Sequence, residues 1–342
     1  MSAKPLKKNQ GSVGILKVSM VWTILIALLA VLAVASMAIG SAGYSFREIL
    51  SAIFLDTDAT TRVVVLSLRL PRVILAILIG AALAAGGALL QAVMRNPLAD
   101  PGTIGVSAGA GTAAITVLLI FPNLSLSLPL FAFVGASLAC VLIYIMAWKG
   151  GVDPVRIILS GVAINSVLSG YNSLLQLLNS DNLSGVLSFM NGSLSGMSWV
   201  HVRTMAVYAV VGLGLSLLCI RHANALQLGD EMAKNLGIRV NASRICLSAV
   251  SAFLAASTVS VAGMIGFVGL VVPHIARMLI GSDYKVLLPT SILLGGVTLL
   301  LADTVGRTII PGLEIPVGIV MSVAGGPFFL YMLRKRGKFN GS

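Results

Sequence analysis

Apolar runs of about 20 residues recur along almost the whole chain, separated by short polar stretches. A helix needs about 20 such residues to cross a ~30 Å hydrocarbon core. Strands that span a membrane leave another trace, short segments of alternating polarity. The pattern therefore predicts an all-α polytopic membrane protein with about ten transmembrane helices. The runs lie near 20–41, 70–92, 103–121, 127–148, 155–179, 201–220, 244–263, 265–280, 287–304 and 316–333. The eighth is the weakest, because Pro273, His274 and Arg277 interrupt it. Composition agrees: 57% of the 342 residues are hydrophobic and only 10% are charged, against about 25% charged in a soluble domain. Residues 1–342 thus read as a single transmembrane domain, with tails at 1–19 and 334–342 and a polar loop at 221–243. The run Met20–Gly40 is too long for a signal peptide and lacks a clear cleavage site, so it reads as the first span.

The 23 Lys and Arg residues set the orientation. With the N-terminus in the cytoplasm, alternation places seventeen of them inside. Six fall outside: Arg47, Arg62, Arg69, Arg72, Arg203 and Arg307. Positive charge favours the cytoplasmic side, so both termini are expected there. This topology accounts for the net charge of +12 without nucleic acid. Arg69, Arg72 and Arg307 stand out, because they sit at the outer ends of apolar runs. Guanidinium pairs bidentately with carboxylate, so such a patch suits docking of an acidic protein. The competing reading is that the three arginines only anchor helix ends at the headgroups.

Two further features carry candidate function. In the inside loop, Leu228, Met232 and Leu236 recur every four residues, giving one small apolar face. Asp230 and Glu231 suit a helix N-terminus, and Gly237 suits the position just past its end, with Gly229 before it. A short amphipathic helix in the cytoplasm fits docking of a soluble partner, or simply a helix lying on its own bundle. In the fifth run, Asn165, Ser169, Asn172, Gln176 and Asn179 share one helical face. Polar side chains in hydrocarbon need partners or water, so the stripe marks either a wet pathway or hydrogen bonding between helices.

Other patterns limit the chemistry. Gly105-Val106-Ser107-Ala108-Gly109 matches the G-x-S-x-G nucleophile motif. The histidines are His201, His222 and His274, and only His274 is placed to lie at depth, so an intramembrane serine protease is a minor rival. Small residues such as Gly105/Gly109 and Gly80/Ala84 fit close helix packing instead. Cys140, Cys219 and Cys246 form neither a disulfide framework nor a metal spacing, and no catalytic, metal or cofactor site is expected. Carboxylates at membrane depth are nearly absent, Asp303 being the main one, which disfavours a secondary transporter. No Gly-Lys-Ser/Thr sequence is present, so a pump of this kind draws energy from another polypeptide.

Several stretches together resemble one family, the FecCD-type permeases of bacterial ABC importers for iron–siderophores, heme and cobalamin. They are Arg69-Leu70-Pro71-Arg72, Gln91 with Asn96-Pro97-Leu98-Ala99-Asp100-Pro101, the run from Gly105 to Gly111, and Asn191-Gly192-Ser193-Leu194. Leu228 to Gly237, Gly266 to His274, Leu301-Ala302-Asp303, Glu314 to Gly318 and Gly325-Gly326-Pro327 complete the set. The resemblance implies the type II ABC importer permease fold in a bacterial cytoplasmic membrane. It implies a second permease subunit, identical or homologous, and a central translocation path. It also implies two cytoplasmic ATPase subunits, which do the ATP hydrolysis, and an extracytoplasmic binding protein. In such permeases the arginines matching Arg69, Arg72 and Arg307 meet glutamates on the binding protein, and the loop matching 228–237 docks into the ATPase. The fifth helix and the segment matching 180–200 line and gate the path. The expected cargo is a ferric siderophore, with heme or cobalamin as alternatives.

Overall fold

The computed structural model describes residues 14–39, 45–54, 59–102, 105–149, 151, 153–180 and 183–337. The outermost parts of both tails, with Lys4, Lys7, Lys8 and Lys338, lie outside these residues. Among the described residues, ten helices of 13 to 25 residues make the bundle, each on one of the expected runs. They are α1 (Ile15–Ala38), α2 (Leu70–Met94), α3 (Val106–Ile120), α4 (Leu128–Ala147) and α5 (Pro154–Leu178). Then come α6 (Trp199–Leu218), α7 (Val240–Ala262), α8 (Val268–Ile280), α9 (Tyr284–Thr308) and α10 (Val317–Gly337). Short helices at Phe46–Phe54, Leu183–Asn191, Ile220–Gln227 and Asp230–Asn235 lie between them.

Helix α2 is the axis of the molecule. Its apolar window is 83% buried, against 11% in α1 and in α5. It packs on α6, α7, α8 and α9. Lipid tails are as apolar as leucine, so this packing depends on close approach rather than on water exclusion. Small residues provide it. Gly80 and Ala84 both touch Gly295 of α9, and Gly87 touches Gly269 of α8. A side chain at Gly87 would run into the Gly269 backbone. Gly109 of α3 meets Gly135 and Ala139 of α4 in the same way, so the G-x-S-x-G stretch is a packing surface.

Two spans are shorter than the sequence suggests, α3 with 15 residues and α8 with 13. In each case a non-helical segment precedes the helix and folds back into the bundle. Before α3, the stretch after Arg95 brings the Asp100 carboxylate against Gly269, beside Leu83 and Gly87 of α2. Asp100 is 8% exposed and accepts from Gly102 N–H at 2.8 Å. Asp100 thus joins Asp303, at 2% exposure, as a second buried carboxylate. The run around Pro97 and Pro101 reads as a surface loop, but irregular backbone is tolerated at depth when protein surrounds it. Here the carboxylate lies at the first turn of α8, where a helix dipole favours negative charge. Before α8, Gly263 and Met264 are tied to Phe189, and Phe267 takes a left-handed conformation as the helix starts.

Polar groups inside the bundle are tied to α2. Gln91 donates to the Gly269 carbonyl at 3.2 Å and accepts from Arg277 at 3.1 Å. The Tyr284 hydroxyl donates to Ala88 O at 2.6 Å, and Ser251 donates to Gly86 O at 2.7 Å. Arg277, one of the three residues that weaken the eighth run, is thus absorbed by contacts with α2 and α9.

Candidate functional site

The chemistry gathers at the two ends of α2. At the outer end, Arg72 stands one turn into α2 and Asp303 just over one turn before the end of α9. Arg72 places Nε and Nη2 on the Asp303 carboxylate at 2.9 to 3.1 Å, a bidentate pair. Its Nη1 donates to Glu314 at 2.7 Å. Arg307, four residues beyond Asp303, has Nε 3.4 Å from the same carboxylate and donates to Ser36 O at 3.0 Å. Arg69 donates to Met37 O and, at 3.2 Å, to Ala38 O. Side chains from α2 and α9 therefore join the end of α1, all at helix ends that alternation puts on one side of the membrane.

This arrangement changes the reading of the patch. Sequence spacing separates the Arg69/Arg72 pair from Arg307. In the structure, Arg72 and Arg307 share Asp303, because α2 and α9 run side by side and bring residues 231 positions apart into contact. The side chains of Asp303, Arg307 and Arg72 are 2%, 7% and 11% exposed, whereas that of Glu314 is 51% exposed. Partial burial pushes the Glu314 carboxyl up, but the Arg72 hydrogen bond and charge outweigh it and hold it below the usual carboxylate range. Above the cluster lies a basin of about 970 Å³, lined by Leu68, Leu194, Met197, Pro311 and the three arginines.

The inner end of α2 has its own ion cluster. Arg95, just past α2, adopts a left-handed conformation, with φ of 47°. Its Nη1 lies 3.9 Å from Asp230. Arg244, in the second turn of α7, holds Asp230 at 2.9 Å. Asp230 opens the short helix Asp230–Asn235. Gly229 and Gly237 bracket that helix with φ of 99° and 76°, values that favour glycine. Asp230 and Glu231 lie in its first turn and Lys234 in its last, the order its dipole favours. Ala233 faces inward and is fully buried, while Leu228, Met232 and Leu236 stay 54 to 58% exposed. The sequence pattern located this helix and its apolar face. It did not show that Asp230 points back to α2 and α7.

Between the two ends, the polar stripe of α5 runs along the border of its packed face. Ile157, Gly161 and Leu175 are buried beside it, while Val167 and Leu174 on the far side are exposed. Asn165, Asn172, Gln176 and Asn179 are half-buried, and Ser169 is exposed. Asn165 sits beside Gly105, and Asn179 bonds the Leu175 carbonyl at 2.9 Å. The Asn172 Oδ1 and, on α3, the Thr112 hydroxyl are buried with no hydrogen-bond partner. Such groups call for water or for a partner that comes and goes.

Comparison with known proteins places this architecture. A permease protein of a Fe(3+)-citrate import system, YfmD of Bacillus subtilis, is 41% identical over 300 residues, or 88% of this chain and 90% of its own. The hemin transport system permease protein HmuU of Yersinia pestis is 37% identical over 324 residues, covering 93% and 96%. A metal-chelate type ABC transporter solved in an inward-facing conformation superposes with a TM-score of 0.82 at 29% identity. It covers 93% of this chain and 99% of its own. The model of the FecCD transport family matches residues 28–335, and with it the chain belongs to that family: a multi-pass membrane permease of the ABC transporter class, a transport subunit rather than an enzyme.

Proposed function

We propose that this permease forms the translocation path for a ferric siderophore entering a bacterial cell. An extracytoplasmic binding protein delivers the cargo. Two ATPase subunits, docked on the cytoplasmic side, drive the cycle, and a second permease copy, identical or homologous, completes the path. Both termini lie in the cytoplasm in this reading, and the whole chain acts as one transmembrane domain. Heme or cobalamin fits the same architecture as an alternative cargo.

The observation that carries the reading is the pair of ion clusters at opposite ends of one buried helix. The outer one lies under a basin able to receive a protein, and the inner one holds a helix with an exposed apolar face. The basin suits carboxylates of an acidic partner, because Arg72 spends one edge on the half-exposed Glu314. An arriving carboxylate exchanges with Glu314 there while Asp303 keeps the guanidinium in place. At the other end, Leu228, Met232 and Leu236 enter the ATPase surface, and Asp230 passes its movement to α2 and α7. The border stripe of α5, with the Asn172 Oδ1 unpartnered as is the Thr112 hydroxyl on α3, supports a path that opens along the α3–α5 seam and is driven between outward- and inward-open states.

The test is reconstitution. Vesicles whose ATPase side faces the lumen should accumulate labelled ferric siderophore from a loaded binding protein outside, and only when ATP is enclosed in the lumen. In a variant lacking the native cysteines, thiols placed at 165, 172 and 176 should react with polar reagents during turnover, and thiols at 167 and 174 should not. Uptake without the ATPase, or reactivity on both faces alike, refutes the reading.

A further inference from the structure

The remaining cavity with a built wall lies on the lipid side of the bundle, at the cytoplasmic ends of α4 and α7. Between them is a groove of about 500 Å³ lined by Val141, Tyr144, Ile145, Trp148, Ile245 and Ser248. Trp148, Ile145, Val141 and Ile245 are 43 to 58% exposed along it. On its wall the hydroxyls of Tyr144 and Ser248 are buried and face each other, and neither has a hydrogen-bond partner elsewhere in the chain. Ser248 as a residue is only 3% exposed. Two buried hydroxyls that have only each other leave at least one proton without an acceptor, which points to an acceptor supplied from outside the chain.

A polar cleft of about 920 Å³ lies next to the groove. Trp148 and Ile245 line the groove, and their chain neighbours Lys149 and Arg244 line the cleft. Four cations, Arg95, Lys149, Lys234 and Arg244, face two carboxylates there, Asp153 and Asp230. Both carboxylates are already engaged. Asp230 holds Arg244, and Asp153 caps α5 by accepting from Val155 N–H at 2.8 Å. The cleft therefore keeps a positive excess centred on exposed Lys149.

We propose that groove and cleft together bind one anionic glycerophospholipid. An acyl chain lies along Val141, Ile145 and Ile245. The Tyr144 and Ser248 hydroxyls donate to the ester carbonyls, one turn deeper than Trp148. The headgroup phosphate sits on Lys149. Each group of the wall then meets the part of a lipid that belongs at its depth: apolar chain, ester acceptor, anionic head. The lipid class rests on the positive excess, since a zwitterionic lipid would fill the groove without using the cleft.

Trp148 supplies the probe. Trp22→Phe with Trp199→Phe leaves it as the single tryptophan of three. The protein is placed in phosphatidylcholine nanodiscs with increasing acyl-brominated phosphatidylglycerol or, in parallel, acyl-brominated phosphatidylcholine. Half-maximal quenching should need about fivefold less of the anionic lipid, the factor one interfacial cation contributes. Lys149→Gln should bring the ratio close to one, and Lys149→Arg should keep it. Both leaflets of the disc are identical, so the outcome does not depend on the orientation of the chain. Equal quenching by the two lipids overturns the proposal. Absence of quenching by either also overturns it, because a protein surface, such as a second copy, then covers the groove. Trp22 and Trp199 bond Thr290 and Leu66, so the double variant risks misfolding. Native mass spectrometry of the otherwise unaltered protein gives a second measurement. One retained phosphatidylglycerol is expected, lost in Lys149→Gln and in Ser248→Leu; retention unchanged in both variants, or none in the unaltered protein, overturns the proposal.

Discussion

The two ends of α2 carry the same chemistry in different surroundings. Outside, one carboxylate, Asp303, is 2% exposed and is shared by two arginines that are themselves buried. Inside, Asp230 is 37% exposed and Arg95 45%, with only Arg244 buried. The outer cluster joins α1, α2 and α9, and its Asp303 pairing is shielded from salt and water beneath the basin. The inner one joins α2, α7 and a six-residue helix, and it is open to solvent on one side. Exposed ion pairs are weak and yield easily, whereas breaking a buried pair leaves an uncompensated charge. The comparison teaches that α2 is fixed at one end and yielding at the other, which in the proposed function are the receiving and the driven ends.

The most severe way to break this contrast is to remove the shared carboxylate. Asp303→Ala leaves Arg72 and Arg307 buried around an empty place, a loss of about 3–5 kcal/mol for a buried pair. The expected result is little folded protein in fluorescence-detected size-exclusion chromatography. Folded yield and melting temperature equal to the parent would show that the outer cluster is not a structural joint. The same geometry warns that Arg72→Glu damages the fold as well as docking, so binding-protein affinity has to be read on protein shown to be folded.

Next in size is the apolar face of the inner helix. Met232→Asp with Leu236→Asp touches two half-exposed side chains, so insertion and melting should be unchanged. ATPase binding should weaken by at least about 100-fold, since each side chain withdraws about 1.5 kcal/mol of apolar burial. Normal co-purification with the ATPase would remove this helix from the docking surface.

Asp230→Asn sharpens the contrast further. It keeps an oxygen toward Arg244 and removes only charge, so stability should change by less than about 1 kcal/mol. The ATPase should still bind, while transport per ATP hydrolysed falls about tenfold, within the range of a 1–3 kcal/mol coupling. Unchanged coupling would mean that movement reaches α2 by another contact.

The smallest effect belongs to Glu314. If it holds the edge of Arg72 that an arriving carboxylate needs, Glu314→Gln should tighten binding-protein association about two- to fivefold, the scale of an exposed pair. Acidification should act in the same direction. The Glu314 carboxyl is held below the usual range, so its pairing with Arg72 is whole above about pH 4.5 and is lost as pH falls through the lowered value. Binding measured against a partner with pH-insensitive contacts would show this, and weaker association in Glu314→Gln would assign Glu314 to docking itself.

Much of the architecture was legible in the residues. Span number and position follow from hydrophobic run length, and the placement of Arg69, Arg72 and Arg307 on one face follows from alternation. That Gly80 and Ala84 let some other helix come close follows from small residues four apart. What stayed hidden is what depends on which helices are neighbours. Asp303 and Arg72 are 231 positions apart, and no periodicity predicts that α2 and α9 lie side by side. Asp100 was hidden for a different reason. Proline-rich, polar sequence looks like a surface loop, and only the packing around Gly269 reveals that it lies inside. The inner helix was recognised by its caps and apolar spacing, but Arg244, fourteen residues after Asp230, reads as one more cytoplasmic cation.

The shortness of α8 bears on how the protein is made. Thirteen residues rise about 20 Å, which does not reach across a ~30 Å core. With Pro273, His274 and Arg277 among them, the segment has no stable place in lipid alone. Its place is made by Gln91 and Gly87 of α2, and Gln91 leaves the ribosome 186 residues before Arg277. During synthesis, the α8-facing side of α2 must wait uncovered in the insertion machinery until α8 emerges. A chain stopped after α7 would present that glycine and that amide to lipid, and membrane quality control would meet an unfinished bundle rather than a smaller stable one.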